Sequence, residues 1–191
     1  MAKRIVVGIS GASGSVLALR LLEELRKLKA ETHVIVSEQA GRIMHHETGK
    51  TLKDIEGIAS NVYDNSDFFS PVASGSFITD AMVIIPCSMK TLAGIACGYS
   101  DNLMTRAADV CLKERRRLVL VPRETPLSAI HTENMARVSR AGAVILPPVL
   151  TFYSKSESVD EHINHIIGKI LDVIGIRNKI FKRWKDEDGS C

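Results

Sequence analysis

The stretch Arg4-Ile5-Val6-Val7-Gly8-Ile9-Ser10-Gly11-Ala12-Ser13-Gly14-Ser15 decides the fold. A short β-branched apolar run passes into small residues and then into the helical pattern Val16 to Leu28. This predicts a strand, a tight glycine turn and a helix N-terminus. Backbone N–H groups at such a turn lack intrahelical partners, and the helix dipole adds partial positive charge. Glycine permits close approach, so the turn suits a phosphate-bearing ligand. The plainer alternative is a tight turn that binds nothing. The spacing is Gly8-x-x-Gly11-x-x-Gly14, not G-x-G-x-x-G, and no Lys follows the last glycine, so this is not a Walker A loop. The second strand, Thr32 to Val36, ends at Ser37, where a dinucleotide fold usually carries an acid. Glu38 stands one residue late. NAD is thus disfavoured without being excluded, and a mononucleotide such as FMN better fits the hydroxyls of Ser10, Ser13 and Ser37.

The rest of the chain repeats this alternation. Helix one covers Ser13 to Leu28, with Leu17, Leu21, Leu22 and Leu25 as its apolar stripe. Helices are expected at Gln39 to Glu47 and Thr51 to Ile58, and a third strand at Ala81 to Ile85 before Pro86-Cys87-Ser88. Helices follow at Lys90 to Ala96 and Asn102 to Lys113. A fourth strand at Leu118 to Val121 ends in Pro122-Arg123-Glu124, and a helix spans Ala129 to Ala141. A fifth strand at Ala143 to Leu146 ends in Pro147-Pro148. The last helix, Val159 to Ile174, faces inward through Ile163, Ile166, Ile167, Ile170 and Ile174. Residues from Asp64 to Thr79 show little pattern, and loops this long are usually functional or mobile. Alternating strands and helices mean an α/β protein with a parallel sheet covered on both faces. Ligands then bind beyond the carboxyl ends of the strands, a rule that gathers Ser10 to Gly14, Ser37, Cys87 to Thr91, Arg123-Glu124 and the segment up to Tyr153.

Bulk composition narrows the classes. A chain of 191 residues reads as one domain, 1–191, with a C-terminal helix and tail over about 158–191. Hydrophobic content of 45% with 25% charged residues is that of an ordinary globular protein. A net charge of +3 is too small and scattered for nucleic acid. The one basic run, Lys113-Glu114-Arg115-Arg116-Arg117, reads as a solvated helix end. No apolar stretch approaches the ~18 residues of a membrane span, and a strand begins almost at once, so no signal peptide is expected. Cys87, Cys97, Cys111 and Cys191 show neither C-x-x-C nor zinc spacing and read as reduced, mostly buried thiols of a cytoplasmic protein.

Several segments together resemble the flavin prenyltransferase family of the UbiX type. They are Gly11-Ala12-Ser13-Gly14, Ala73-Ser74-Gly75-Ser76, Pro86-Cys87-Ser88-x-Lys90-Thr91-Leu92, Asn102-Leu103-x-Thr105-Arg106-Ala107-Ala108-Asp109 with Leu112-Lys113-Glu114-Arg115, Leu120-Val121-Pro122-Arg123-Glu124, His131-x-Glu133-Asn134-Met135, and Gly142 to Pro148 leading to Phe152-Tyr153. The resemblance covers nearly the whole chain. It implies a flavodoxin-like (Rossmann-like) doubly wound sheet in a three-layer α/β/α sandwich. It also implies that reduced FMN is a substrate, alkylated at N5 and then C6 by the dimethylallyl group of dimethylallyl phosphate. The product, prenylated FMN, serves UbiD-type decarboxylases. No metal is implied, and the family forms large homo-oligomers, dodecamers among them, with sites at subunit contacts.

The resemblance also implies residue roles. Gly11, Ala12, Ser13, Ser37, Ser88, Met89, Lys90, Thr91, Arg106 and Arg123 match FMN contacts. Ala73, Ser74, Gly75, Lys113, Arg123, Tyr153, Lys169 and Trp184 match the prenyl-phosphate site. Fixed cations there stabilise the anion that forms as an allylic C–O bond breaks. Ser13, Glu47, Glu124 and Tyr153 are the catalytic candidates; ring closure needs a base, and a carboxylate or the released phosphate could serve. Bland alternatives stand beside several. Ser13 could be a helix N-cap, and Ser37 and Ser88 turn or cap residues. Arg106 could pair with Asp109, and Lys169 could be solvated. Lys169 also departs from the Arg often found there, keeping the charge but losing the bidentate fork. Trp184 could stack on an allyl cation from a neighbouring subunit or simply pack an oligomer.

Two rivals share the fold. An FMN-dependent cysteine decarboxylase would carry a site His and a P-x-M-N-x-x-M-W segment, where this chain has Asn102-Leu103-Met104-Thr105-Arg106. A flavin-binding or electron-transfer module would not need Lys113, Arg123, Tyr153 and Lys169. A decarboxylase acting directly on aromatic acids is a third reading, but nothing in the sequence supplies that chemistry.

Overall fold

The computed structural model describes residues 2–184. Six parallel strands form one sheet in the order β3-β2-β1-β4-β5-β6. They are β1 (Arg4–Ile9), β2 (Glu31–Val36), β3 (Asn61–Asp64), β4 (Ala81–Cys87), β5 (Arg117–Pro122) and β6 (Val144–Ile145). The central strands are buried on both faces, which explains their unbroken apolar runs. Seven α-helices connect and cover them: α1 (Ser15–Lys27), α2 (Glu38–Thr48), α3 (Leu52–Glu56), α4 (Met89–Cys97), α5 (Leu103–Lys113), α6 (Ala129–Arg140) and α7 (Val159–Val173).

Strand alternation divides the core into two layers. Ile5, Val7 and Ile9 pack with Leu17, Leu21 and Leu25 of α1 and with Ile163, Ile167 and Ile170 of α7. On the other face, Val6, Met82 and Ile84 pack with Leu92 of α4 and Met104 of α5. Burying one such Leu or Ile stabilises by about 1.5–3 kcal/mol. Gly8 serves this second layer, because a Cβ there would lie 3.1 Å from Met104 Cγ and 3.3 Å from Ile84 Cγ1. This α/β/α sandwich is the flavodoxin-like architecture expected.

The elements differ from expectation in instructive places. Strand β3 lies in a stretch given no strand. Its Asn61 and Asp64 are exposed, so the segment has no apolar signature, and pairing with the open edge of β2 makes it a strand. The five anticipated strands by themselves have the flavodoxin order, and β3 adds an edge outside β2. Helix α1 begins two residues later than expected. Its N-cap is Gly14, at φ 107°, with no side-chain cap, so Ser13 is not the N-cap. Strands β4 and β5 each run on into their proline, β6 is only two residues long, and α3 ends two residues early. The patternless segment contains a short 3-10 turn, Pro71–Ala73, packed on α5. The basic run is the exposed end of α5, as read, but two of its arginines also brace the backbone. Arg116 donates to the carbonyls of Gly75 (2.5 Å) and Phe77 (2.8 Å), and Arg117 to that of Val173.

Candidate active site

The order of strands reverses direction between β1 and β4, and the crevice beyond their carboxyl ends is where such sheets bind ligands. Here Ser10 is buried and ties the two strand ends together. Its Oγ donates to Pro86 O at 2.8 Å and accepts from Ser88 N at 2.7 Å. Ser88 in turn caps α4, accepting from Thr91 N at 3.3 Å. Ser37 caps α2 in the same way, accepting from Ala40 N at 3.2 Å. Both serines do the cap chemistry that was their plainer reading, and the caps set two helix N-termini at the ends of β2 and β4. Arg123 joins this group through its backbone N–H, which donates to Cys87 O at 3.2 Å. Its guanidinium is exposed and makes no ion pair among the described residues. Glu124 and Lys90 are exposed as well.

The glycine turn already holds an anion, and it comes from the chain itself. Glu47, in the last turn of α2, accepts from Gly14 N at 3.1 and 3.2 Å and from Ser15 N at 2.9 Å. A carboxylate at the α1 N-terminus satisfies orphan N–H groups and the helix dipole together. Partial burial pushes the Glu47 carboxyl up, but hydrogen bonds from the Ser13 and Ser15 hydroxyls and from both backbone N–H groups outweigh it. Its pKa therefore lies below the ordinary carboxylate range. These two N–H groups are thereby satisfied within the chain. Gly11 has a packing reason, since a Cβ there would lie 2.9 Å from Gln39 Cβ. The dyad Ser13–Glu47 couples a hydroxyl to an ionised carboxylate, an arrangement able to hold or pass a proton.

A second group gathers on α5. Arg106 pairs with Asp109 at 2.9 Å and donates to Ala73 O at 3.1 Å, so its structural alternative is real and it also holds the small-residue patch. Lys113 Nζ lies 2.5 Å from Glu114 Oε1, and hydrogen bonding to Lys113 holds the Glu114 carboxyl below its usual range. Ala73 to Gly75 run alongside. A Cβ at Gly75 would collide with the Glu114 carboxylate and lie 2.8 Å from Lys113 Nζ. Arg116 braces this turn through the carbonyls of Gly75 and Phe77, a contact that only its neighbourhood to Lys113 could have suggested.

A third group sits on α7. Tyr153 lies edge-on to Trp184 at 5.4 Å and to His165 at 5.7 Å. Lys169 is exposed one turn beyond His165. A cleft of about 320 Å³ lined by Ser154, Glu161, Asn164, His165 and Phe181 adjoins this group rather than the strand ends.

No hydrogen bond, ion pair or ring contact joins the three groups among the described residues. Topology explains one separation. Ser13 follows the carboxyl end of β1, whereas Lys113 precedes the amino end of β5, and the strands are parallel. The length of a strand, about 17–20 Å, therefore lies between them. The described residues contain no group of three or more His, Cys, Asp or Glu able to hold a metal. No helix among them is long and apolar enough to cross a membrane. Cys87 and Cys111 are buried, and burial pushes both thiols up to about 12. Cys191 lies outside the described residues.

Residues 1–175 match the Flavoprotein family. A protein of Methanocaldococcus jannaschii named flavin prenyltransferase UbiX is 49% identical over 95% of this chain and 98% of its own. A crystal structure of AnUbiX in complex with FMN and dimethylallyl pyrophosphate superposes with a TM-score of 0.95, at 46% identity, over 98% of this chain and all of that one. A dodecameric FMN-dependent UbiX-like decarboxylase from Escherichia coli gives 0.93 at 44% identity, over 96% of this chain and 100% of that one. A peptidyl-cysteine decarboxylase shares the fold alone, at 16% identity and a TM-score of 0.62 over 79% of this chain and 84% of its own.

Proposed function

The chain belongs to the flavin prenyltransferase family of flavoproteins, and from that premise we propose how its three residue groups share one reaction. It is a transferase whose substrates are reduced FMN and dimethylallyl phosphate. The net change breaks one C–O bond, joins the five-carbon unit to the flavin at N5 and C6, and releases phosphate.

The donor set of the strand-end crevice suits a phosphate-bearing flavin. The N-termini of α2 and α4, the Ser88–Thr91 turn with Lys90, and the exposed Arg123 guanidinium offer N–H groups, hydroxyls and cations. Gly11, Ala12 and Met89 line the same turns, and Arg106 retains its expected part in holding FMN. With Gly14 and Ser15 taken by Glu47, the first glycine turn presents Ser13 rather than a phosphate cradle. Ser13 and Glu47 hold or move a proton where the flavin reacts. The dimethylallyl phosphate falls to the other groups. Ala73, Ser74 and Gly75 leave room for an apolar chain, while Lys113, Lys169, Arg123 and the Tyr153 hydroxyl meet the leaving phosphate. Glu124 remains a second candidate base. Trp184 packs against Tyr153 at the same site.

The observation that carries the assembly reading is the strand-length separation of Ser13 from Lys113 within one chain. Residues that act together but stand at opposite ends of a sheet meet only if another copy brings them. A homo-oligomer, dodecameric as in the Escherichia coli relative, supplies those copies. The product recipient in this reading is a UbiD-type decarboxylase, the compartment is the cytoplasm, and residues 1–191 act as one domain. The test is anaerobic incubation of the pure protein with reduced FMN and dimethylallyl phosphate, followed by mass spectrometry of the released flavin. A gain of one five-carbon unit is expected. Unchanged FMN, with the diphosphate also tried, overturns the reading in favour of a flavin-binding module.

A further inference from the structure

His165 is a buried polar group that the reaction just described does not use. It lies in the second turn of α7 and is 5% exposed. Its Nε2 is 3.4 Å from the Tyr153 hydroxyl, a long contact of the kind that tightens when a ligand binds. The Phe181 ring covers it edge-on at 4.8 Å. One turn earlier, His162 meets Phe152 at 6.4 Å. Two consecutive loop aromatics are therefore docked on two histidines three residues apart on one helix face. Nδ1 of His165 is buried and has no hydrogen-bond partner among the described residues. Packing by itself does not account for this, since a phenylalanine fills similar space without burying an unpaired nitrogen.

We propose that His165 is a positioning residue for the prenyl-phosphate site: its Nε2–H donates to the Tyr153 oxygen and leaves the phenolic proton free for a phosphate oxygen. The inference rests on reading Tyr153 as a phosphate ligand. A neutral imidazole carries one N–H and one lone pair. A proton on Nδ1 would bury an unpaired donor, whereas a proton on Nε2 finds the tyrosine and leaves only a lone pair unmet. Burial, then the charge of Lys169 and the nearness of His162, hold His165 below its ordinary pKa, so the ring is neutral near pH 7. A tyrosine oxygen that accepts from within the chain must direct its own proton elsewhere. Tyr153 is 51% exposed, so a ligand or a neighbouring copy can receive that proton.

The experiment is a double-mutant cycle on kcat/KM for dimethylallyl phosphate at saturating reduced FMN. His165→Phe keeps the ring and removes the donor, and it should cost roughly three- to tenfold, mostly in KM, the size of one neutral hydrogen bond. In the Tyr153→Phe background the same change should cost less than about twofold, because the hydroxyl it served is gone. His165→Gln, which restores an N–H at similar reach, should recover most of the loss. Equal losses in both backgrounds, or no recovery by Gln, overturn the proposal in favour of plain packing. Solid-state 15N NMR of the histidine-labelled assembled protein gives a readout independent of transfer. It should place the proton on Nε2, with a resonance that moves in Tyr153→Phe, and a proton on Nδ1 overturns the proposal. Failure of the wild type to prenylate flavin would instead strike the reading of the site, leaving the tautomer result standing.

Discussion

The two ends of the sheet treat charge in opposite ways. At the carboxyl end of β1, the positive pole of α1 is answered inside the chain by Glu47, held by two N–H groups and the Ser13 and Ser15 hydroxyls. At the amino end of β5, Lys113 pairs with its neighbour Glu114, an exposed pair in contact with the Gly75 turn. Exposed pairs of this kind contribute little stability. At the α1 turn the helix pole is thus answered by the chain's own carboxylate, whereas at the end of α5 the cation is held only by an exposed pair that a phosphate can displace. The difference is the one that the proposed assembly of the site from several copies would use.

Complementation gives the sharpest test of that contrast. Glu47→Gln and Lys113→Ala should each lower prenyl transfer by about 100-fold, the usual scale for losing a proton-handling group or a fixed charge at a developing anion. Co-assembled, the two variants should regain activity, because some sites then combine an intact Glu47 with an intact Lys113. Both changes in one chain should regain none when mixed with itself. Failure of the mixed assembly to exceed either parent would place both groups in one chain's site and break the comparison.

Smaller effects separate positioning from chemistry at the Lys113 end. Arg116→Ala releases the carbonyls of Gly75 and Phe77. It should raise KM for dimethylallyl phosphate by roughly three- to tenfold, leaving FMN affinity unchanged in a fluorescence titration. Gly75→Ala should act in the same direction by displacing the Lys113–Glu114 pair, whose flexible ends can shift without unfolding the chain.

At the Glu47 end the corresponding signature is pH-dependent stability. The folded-state pKa of Glu47 lies below its ordinary 4.5. Its contribution is therefore fully present above that value and is lost as pH falls through the lower folded-state value. Thermal unfolding should show wild type more stable than Glu47→Gln at pH 7 and the gap closing below pH 4.5; a gap independent of pH would mean that the carboxylate charge is irrelevant there. The least perturbing test concerns the thiols. With Cys87 and Cys111 raised to about 12 by burial, both stay protonated at pH 8, and a thiol alkylator on the native protein should mark neither. Mass mapping of modified Cys87 or Cys111 would show that the core opens.

Much of this was legible before the tertiary structure. The apolar runs of β1, β4 and β5 are continuous because helices cover both faces. The stripes of α1 and α7 have helical period because one face of each meets the sheet. Ser10, Ser37 and Ser88 were readable as strand-end residues because a parallel sheet collects such ends in one crevice. Other features left no local signal. Asn61 to Asp64 is a strand only because β2 has an open edge, and Arg116 braces a turn some forty residues earlier.

By itself, the sequence determined the α/β class, the glycine turn and the family, since each depends on residues close in the chain or on motifs read jointly. Tertiary structure alone decided that Glu47 fills the α1 N-terminus, that Tyr153 rests on His165, and that Ser13 and Lys113 stand a strand apart. Those facts depend on where helices of fixed length end once packed against a sheet, and no local pattern encodes such a distance.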